Sequence, residues 1–106
     1  MSIAVVKVGP YYYQVEPLAP AQTEALEGMT DFKRTTIYVD VSLPSERQEV
    51  VLWHELLHAL CDLTGLGLGH DVEERVVDAL APALFQVLEE NDHISKIFWT
   101  PKDTEL

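Results

Sequence analysis

The alternation of apolar and polar positions divides this chain into a strand-forming first part and a helix-forming second part. Residues Ile3 to Val8 are mostly β-branched and stop at Gly9-Pro10, which predicts a first strand closing in a turn, with Tyr11 to Val15 returning as its hairpin partner. Glu16-Pro17-Leu18-Ala19-Pro20 interrupts regular structure, and Ala21 to Met29 then predicts a short helix or an irregular connection. Thr35 to Val41 has the strongest strand composition and ends before Leu43-Pro44. A small sheet of two to four strands follows from these segments.

Ser45 begins a helical pattern, and Gln48 three residues later offers a capping box. The helix is expected to run to about Leu63, where Gly65, Gly67 and Gly69 allow a turn with positive φ. A second helix is expected from Asp71 to about Asn91, bent at Pro82, which cannot donate to the carbonyl of Asp78. Beyond it the pattern weakens, yet Ile94, Ile97, Phe98 and Trp99 imply that part of the tail packs. The fold class expected is α+β. A small antiparallel or mixed sheet packs on two long helices, residues 1–106 form a single domain, and 93–106 are a partly packed tail.

Length and charge narrow the function classes. A chain of 106 residues is too short to divide into two cores. Its apolar share of 47% and charged share of 24% are those of a globular protein, and no apolar run approaches the roughly 18 residues of a membrane span. The N-terminus lacks the features of a secretory signal, and the single Cys61 cannot form an internal disulfide, so a cytoplasmic location is expected. A net charge of −11 repels a phosphate backbone, which argues against a nucleic-acid partner and leaves a cationic partner or substrate open.

The chemistry concentrates in Trp53-His54-Glu55-Leu56-Leu57-His58. At 100° per residue the two histidines lie about 40° apart on one helical face, so both imidazoles can reach one zinc ion. Glu55 projects beside them as a general base for a zinc-activated water. His54 and His58 also continue a stripe with Val50, Val51, Leu57 and Cys61, where burying two ionisable rings needs the compensation a metal supplies.

A third ligand is expected from the second helix, where Glu73 and Glu74 both compete. Glu74 shares a face with Val77, Ala81, Phe85 and Leu88, and Asp78 one turn later can brace the free ring nitrogen of His54 or His58. Glu73 is not excluded by position. Glu74 also sits three residues after Asp71, where it could instead complete a capping box. His70 and Cys61 are competing ligands, with turn and core positions respectively the simpler readings. Asp62 is a possible outer acceptor and His93 a solvated residue. Tyr11, Tyr12, Tyr13 and Tyr38 could each donate to a developing oxyanion, and the strand Ile37 to Val41 could present an edge to an extended peptide.

Through His54-Glu55-Leu56-Leu57-His58 and then Glu74-Arg75-Val76-Val77-Asp78, the chain resembles the gluzincin branch of zinc metallopeptidases. Over residues 35 to 92 the order strand, His-Glu-x-x-His helix, Gly-rich turn and Glu-rich helix is similar to the small phage and ImmA/IrrE-type metallopeptidases, stand-alone minimal gluzincins included. That resemblance implies a zincin-like fold, zinc as cofactor, Glu74 as third ligand, Asp78 as brace of a ligand histidine, and hydrolysis of a peptide or protein substrate. The larger relatives have a second domain walling the cleft, which this chain lacks. Some minimal relatives are kept latent by a terminal segment, which implies a test of Ile97-Phe98-Trp99 near the zinc.

Three functions are therefore weighed. The first is a zinc metallopeptidase with narrow substrate choice. The second is a zinc-stabilised, catalytically silent protein-interaction module. A zinc hydrolase acting on other bonds is the third, and oligomeric state is left open by the sequence.

Overall fold

In the computed structural model, residues 4–91 are described. The tail 93–106, His93 and the Ile97-Phe98-Trp99 segment lie outside the described residues.

Strand β1 (Ala4–Val8) turns at Gly9-Pro10 and pairs antiparallel with β2 (Tyr11–Pro17), in register from Ala4 opposite Val15 to Val8 opposite Tyr11. Period-two alternation buries Ala4, Val8, Tyr13 and Val15, while Lys7 lies outward with its ammonium 5.4 Å from the Tyr12 ring centre. Gly9 takes φ 58°, and a Cβ there would come within 2.6 Å of Leu63, so glycine serves both the turn and the close approach of the helix.

The stretch Ala21 to Met29 is the expected irregular connection over most of its length and departs from expectation only at its end. A single 3₁₀ turn covers Pro20–Gln22, an irregular link follows, and Gly28–Asp31 forms a further strand, β3. It pairs antiparallel with β4 (Thr36–Val39), from Gly28 opposite Val39 to Asp31 opposite Thr36. Asp31 shapes the link between them by accepting the backbone N–H of Arg34 at 3.0 Å. Gly28 and Asp31 are disfavoured in strands and only Thr30 is a strong strand former, so cross-strand pairing with β4 supports this element more than its own residues do.

The four strands lie in the order β1-β2-β4-β3, with β2 and β4 parallel, so the sheet is mixed. This corrects the expectation that Ile37 to Val41 offers an edge. Strand β4 is flanked on both sides, Ile37 is fully buried, and the edge beside the helices belongs to β3.

Helix α1 (Ser45–Thr64) begins after Pro44 without a side-chain cap, which corrects the expected Ser45–Gln48 box. Asp40 ends β4 by accepting both the backbone N–H and the hydroxyl of Ser42, at 2.9 and 2.6 Å. The resulting turn brings the carbonyls of Val41 and Leu43 within reach of Gln48, whose amide nitrogen donates to them at 3.1 and 2.7 Å. Gln48 thus closes the preceding loop instead of capping the helix. Gly65 ends α1 in the left-handed conformation, and Gly67 and Gly69 also take positive φ.

Helix α2 (His70–Glu90) starts one residue earlier and ends one residue sooner than expected, with Gly69 as its N-cap and no side-chain cap. The capping alternative for Glu74 is therefore not realised. Helix α1 is the middle layer. One face carries Val51, Leu52, Leu56 and Ala59 into the core of Val8, Tyr13, Val15, Ile37 and Val39, and another receives α2. Among the described residues no helix is long and apolar enough to cross a membrane.

Candidate metal centre

The middle of α1 faces the first turns of α2, and four polar contacts cross between them. His54 and His58, one turn apart, bring their Nε2 atoms to 3.2 Å from each other. Glu74 of α2 reaches both: one carboxylate oxygen lies 3.0 Å from His58 Nε2 and the other 3.6 Å from His54 Nε2. One ligand atom from each of the three residues falls within 4.8 Å of the others, so the group could hold a metal ion.

The opposite ring nitrogens are also engaged. Glu73 Oε2 lies 2.6 Å from His58 Nδ1, and Asp78 Oδ1 lies 3.4 Å from His54 Nδ1. A carboxylate is an acceptor only, so a hydrogen on His58 Nδ1 would be donated to Glu73 and would leave Nε2 to present its lone pair, and Asp78 is placed to favour the same arrangement at His54. Two imidazole nitrogens and a carboxylate, each able to offer a lone pair, converge on one place. That arrangement is unfavourable unless a positive charge occupies its centre. The donor set therefore fits a cation, on the convergence of these atoms across two helices.

Glu55 lies next to this group but faces the sheet side. Its side chain is buried at 8% exposure, and Oε1 accepts the hydroxyl of Thr30, from β3, at 2.6 Å. The approach of β3 to α1 depends on Gly28. A Cβ there would meet Val51 Cγ1 at 2.5 Å, the Tyr38 carbonyl at 3.1 Å and Glu55 Cγ at 3.3 Å. Beside His54 and Glu55 opens a cleft of about 470 Å³, walled by Leu26, Gly28, Val50, Asp78, Ala81 and Pro82 among others. Arg47 and Glu27 pair at its rim, and the carboxylate beside the guanidinium raises the Arg47 pKa.

The remaining candidates lie elsewhere. His70 is exposed at the start of α2 and is not in the ligand group. Tyr13 is packed in the core, where burial foremost and then the charge of Asp62 raise its pKa, and Tyr11 and Tyr12 are exposed on the hairpin. Cys61 lines an apolar groove, its thiol pKa raised by burial and then by Glu73. Asp62 is exposed.

Two contacts had no forecast. Thr30 sits in a strand that the sequence pattern does not announce, so nothing signalled its hydroxyl. Glu73 was weighed as a ligand and instead occupies the outer nitrogen of His58. Adjacent carboxylates on the first turn of α2, facing a pair of histidines on α1, are a pattern that serves both rings at once. No family model matches the chain, and no curated protein or solved structure matches it either.

Proposed function

We propose that the chain is a minimal, zincin-like metallopeptidase of gluzincin type, with zinc held by His54, His58 and Glu74. The convergence of both Nε2 atoms and the Glu74 carboxylate carries this reading. The two Nε2 atoms stand 3.2 Å apart, close to the spacing of two nitrogens held by one zinc ion at about 2.0–2.1 Å, and with one atom taken from each residue the three ligand atoms lie within 4.8 Å of one another. When bound, zinc supplies Lewis acidity and brings the pKa of water towards about 7.

The protein residues then have separate tasks. Asp78 and Glu73 hold the rings of His54 and His58 in the tautomer that frees Nε2. Glu55 accepts a proton at Oε2 as general base and later returns it to the leaving amine, while Thr30 fixes its other oxygen. An extended peptide pairs its backbone with the open edge of β3, which lies directly beside Glu55, and places a side chain in the adjoining cleft.

All four carboxylate–imidazole contacts run between α1 and α2, so a metal there also fastens one helix to the other. That observation favours the silent interaction module as second reading. Glu55→Gln separates the two. The peptidase retains one zinc per chain and loses hydrolysis of a peptide library; the module retains both zinc and its partner binding.

A further inference from the structure

The cleft beside His54 and Glu55 runs along α1. Arg47, Val50 and His54 share one helical stripe, at spacings of three and four residues, so the floor extends about 10 Å from a candidate metal ligand to the Arg47–Glu27 pair. Helix α2 walls one side with Asp78, Ala81 and Pro82, and the link before β3 walls the other with Leu26 and Glu27. The middle, between Val50, Leu26, Ala81 and Pro82, is apolar.

Its charges are one-sided. Among the described residues that line it, Glu27, Glu55 and Asp78 are acidic and Arg47 alone is basic. Arg47 is already matched, because its Nε and Nη2 both donate to Oε1 of Glu27. That leaves Glu55 and Asp78 without a cationic partner among the lining residues. A divalent ion at the neighbouring centre does not reverse the sign, since Glu73 and Glu74, neither of which lines the cleft, offset its two charges. Asp78 is the accessible acid of the two: its side chain is 66% exposed, and Oδ1 is the oxygen that faces His54. Its second oxygen can accept from a ligand.

Acidic walls over an apolar floor suit a side chain with a hydrocarbon stem and a cationic head. An acidic side chain is repelled there, and an aliphatic one leaves the carboxylates unmatched. The net charge of −11 acts in the same direction by drawing cationic peptides towards the chain.

We propose that this cleft selects a lysine or arginine side chain of the substrate, its stem on Val50, Ala81 and Pro82 and its head on the carboxylates of Asp78 and Glu27. The position of the peptide along β3 rests on the metallopeptidase reading; selection by charge does not need hydrolysis.

Titration of the zinc-loaded chain with end-blocked tripeptides, followed by the amide shifts of Leu26, Gly28 and Ala81, tests this, the central residue being lysine, norleucine or glutamate between two alanines. Norleucine keeps the stem and removes the ammonium, so the comparison isolates charge. The lysine peptide is expected to bind about fivefold tighter than the norleucine peptide, the scale of one partly exposed ion pair, and the glutamate peptide weakest. Raising salt to about 0.5 M narrows the gap. Glu27→Gln breaks a half-exposed pair, so the fold is kept, and it leaves Arg47 unmatched; the lysine advantage is lost and the glutamate peptide gains. Equal binding of the three peptides, an unchanged order in Glu27→Gln, or shifts confined to residues outside the cleft would overturn the assignment. Where the peptides are cleaved, kcat/KM keeps the order lysine, norleucine, glutamate. Binding in that order without cleavage contradicts the peptidase reading and leaves the basic selectivity standing, and cleavage without preference does the reverse.

Discussion

His58 Nε2 lies 3.0 Å from a carboxylate oxygen of Glu74 while its Nδ1 lies 2.6 Å from Glu73, so two consecutive glutamates of α2 grip the two sides of one ring. Helical geometry makes this possible: adjacent residues diverge by 100°, and a ring inserted between them meets both. Glu73 and Glu74 therefore face different nitrogens of the same ring.

The braces and the ligands differ in what their loss does to metal affinity. Asp78→Asn keeps the volume but weakens the acceptor facing His54 Nδ1, and zinc affinity falls about 10–100-fold, the range for outer partners of metal-binding histidines. Glu74→Ala removes a ligand and costs more than that. Competition titration with a chromogenic chelator reads both, and equal losses would argue that Glu74 is not in the coordination shell.

Thr30 is expected to matter for stability as well as for Glu55. Thr30→Val leaves a buried carboxylate without its donor and costs about 1.5–3 kcal/mol in urea unfolding, whereas Thr30→Ser keeps the hydroxyl and most of the stability. Under the proposed peptidase function, hydrolysis is expected to follow the same order. An unchanged unfolding midpoint in Thr30→Val would show that the contact is not formed in solution.

Gly28 is a packing position. The added methyl of Gly28→Ala pushes against Val51, the Tyr38 carbonyl and Glu55, and costs about 1–3 kcal/mol, the usual range for an overpacked site. Denaturant unfolding checks this. A neutral result would mean that β3 can move off α1 without loss.

Glu49 gives the pH dependence a definite sign. Burial, then the charges of Glu89 and Glu46, raise its pKa above the ordinary 4.5. The folded chain thus holds this proton more tightly than the unfolded one, and stability falls as pH rises through the window just above 4.5. Glu49→Gln removes the penalty. It raises the melting temperature at pH 7 and leaves it unchanged at pH 3.5, as differential scanning calorimetry across that range would show; an equal effect at both pH values would contradict the assignment.

How much of this was legible in the sequence depended on whether an element is specified locally. The hairpin at Gly9-Pro10, the strand around Ile37 and both long helices carry their own periodicity and breakers, and the structure places them within a residue or two of expectation. Strand β3 does not. Gly28 and Thr30 matter through their neighbours, Val51 and Glu55, which lie more than twenty residues away in the chain. The same reason explains Gln48: its residue type and spacing match a cap, but the turn made by Asp40 and Ser42 gives its amide two nearer carbonyls. The placement of His54, His58, Glu74 and Asp78 in one cluster was readable because helical spacing alone aligns each pair. Which ring each acid would meet depended on how α2 packs across α1, and no spacing rule reports that.

Anomalous diffraction from a crystal grown with zinc decides whether His54, His58 and Glu74 hold one metal ion. One peak above the zinc edge is expected, about 2.0–2.2 Å from both Nε2 atoms and from a Glu74 oxygen. A peak on other residues, or none at that position with zinc in excess, would contradict it.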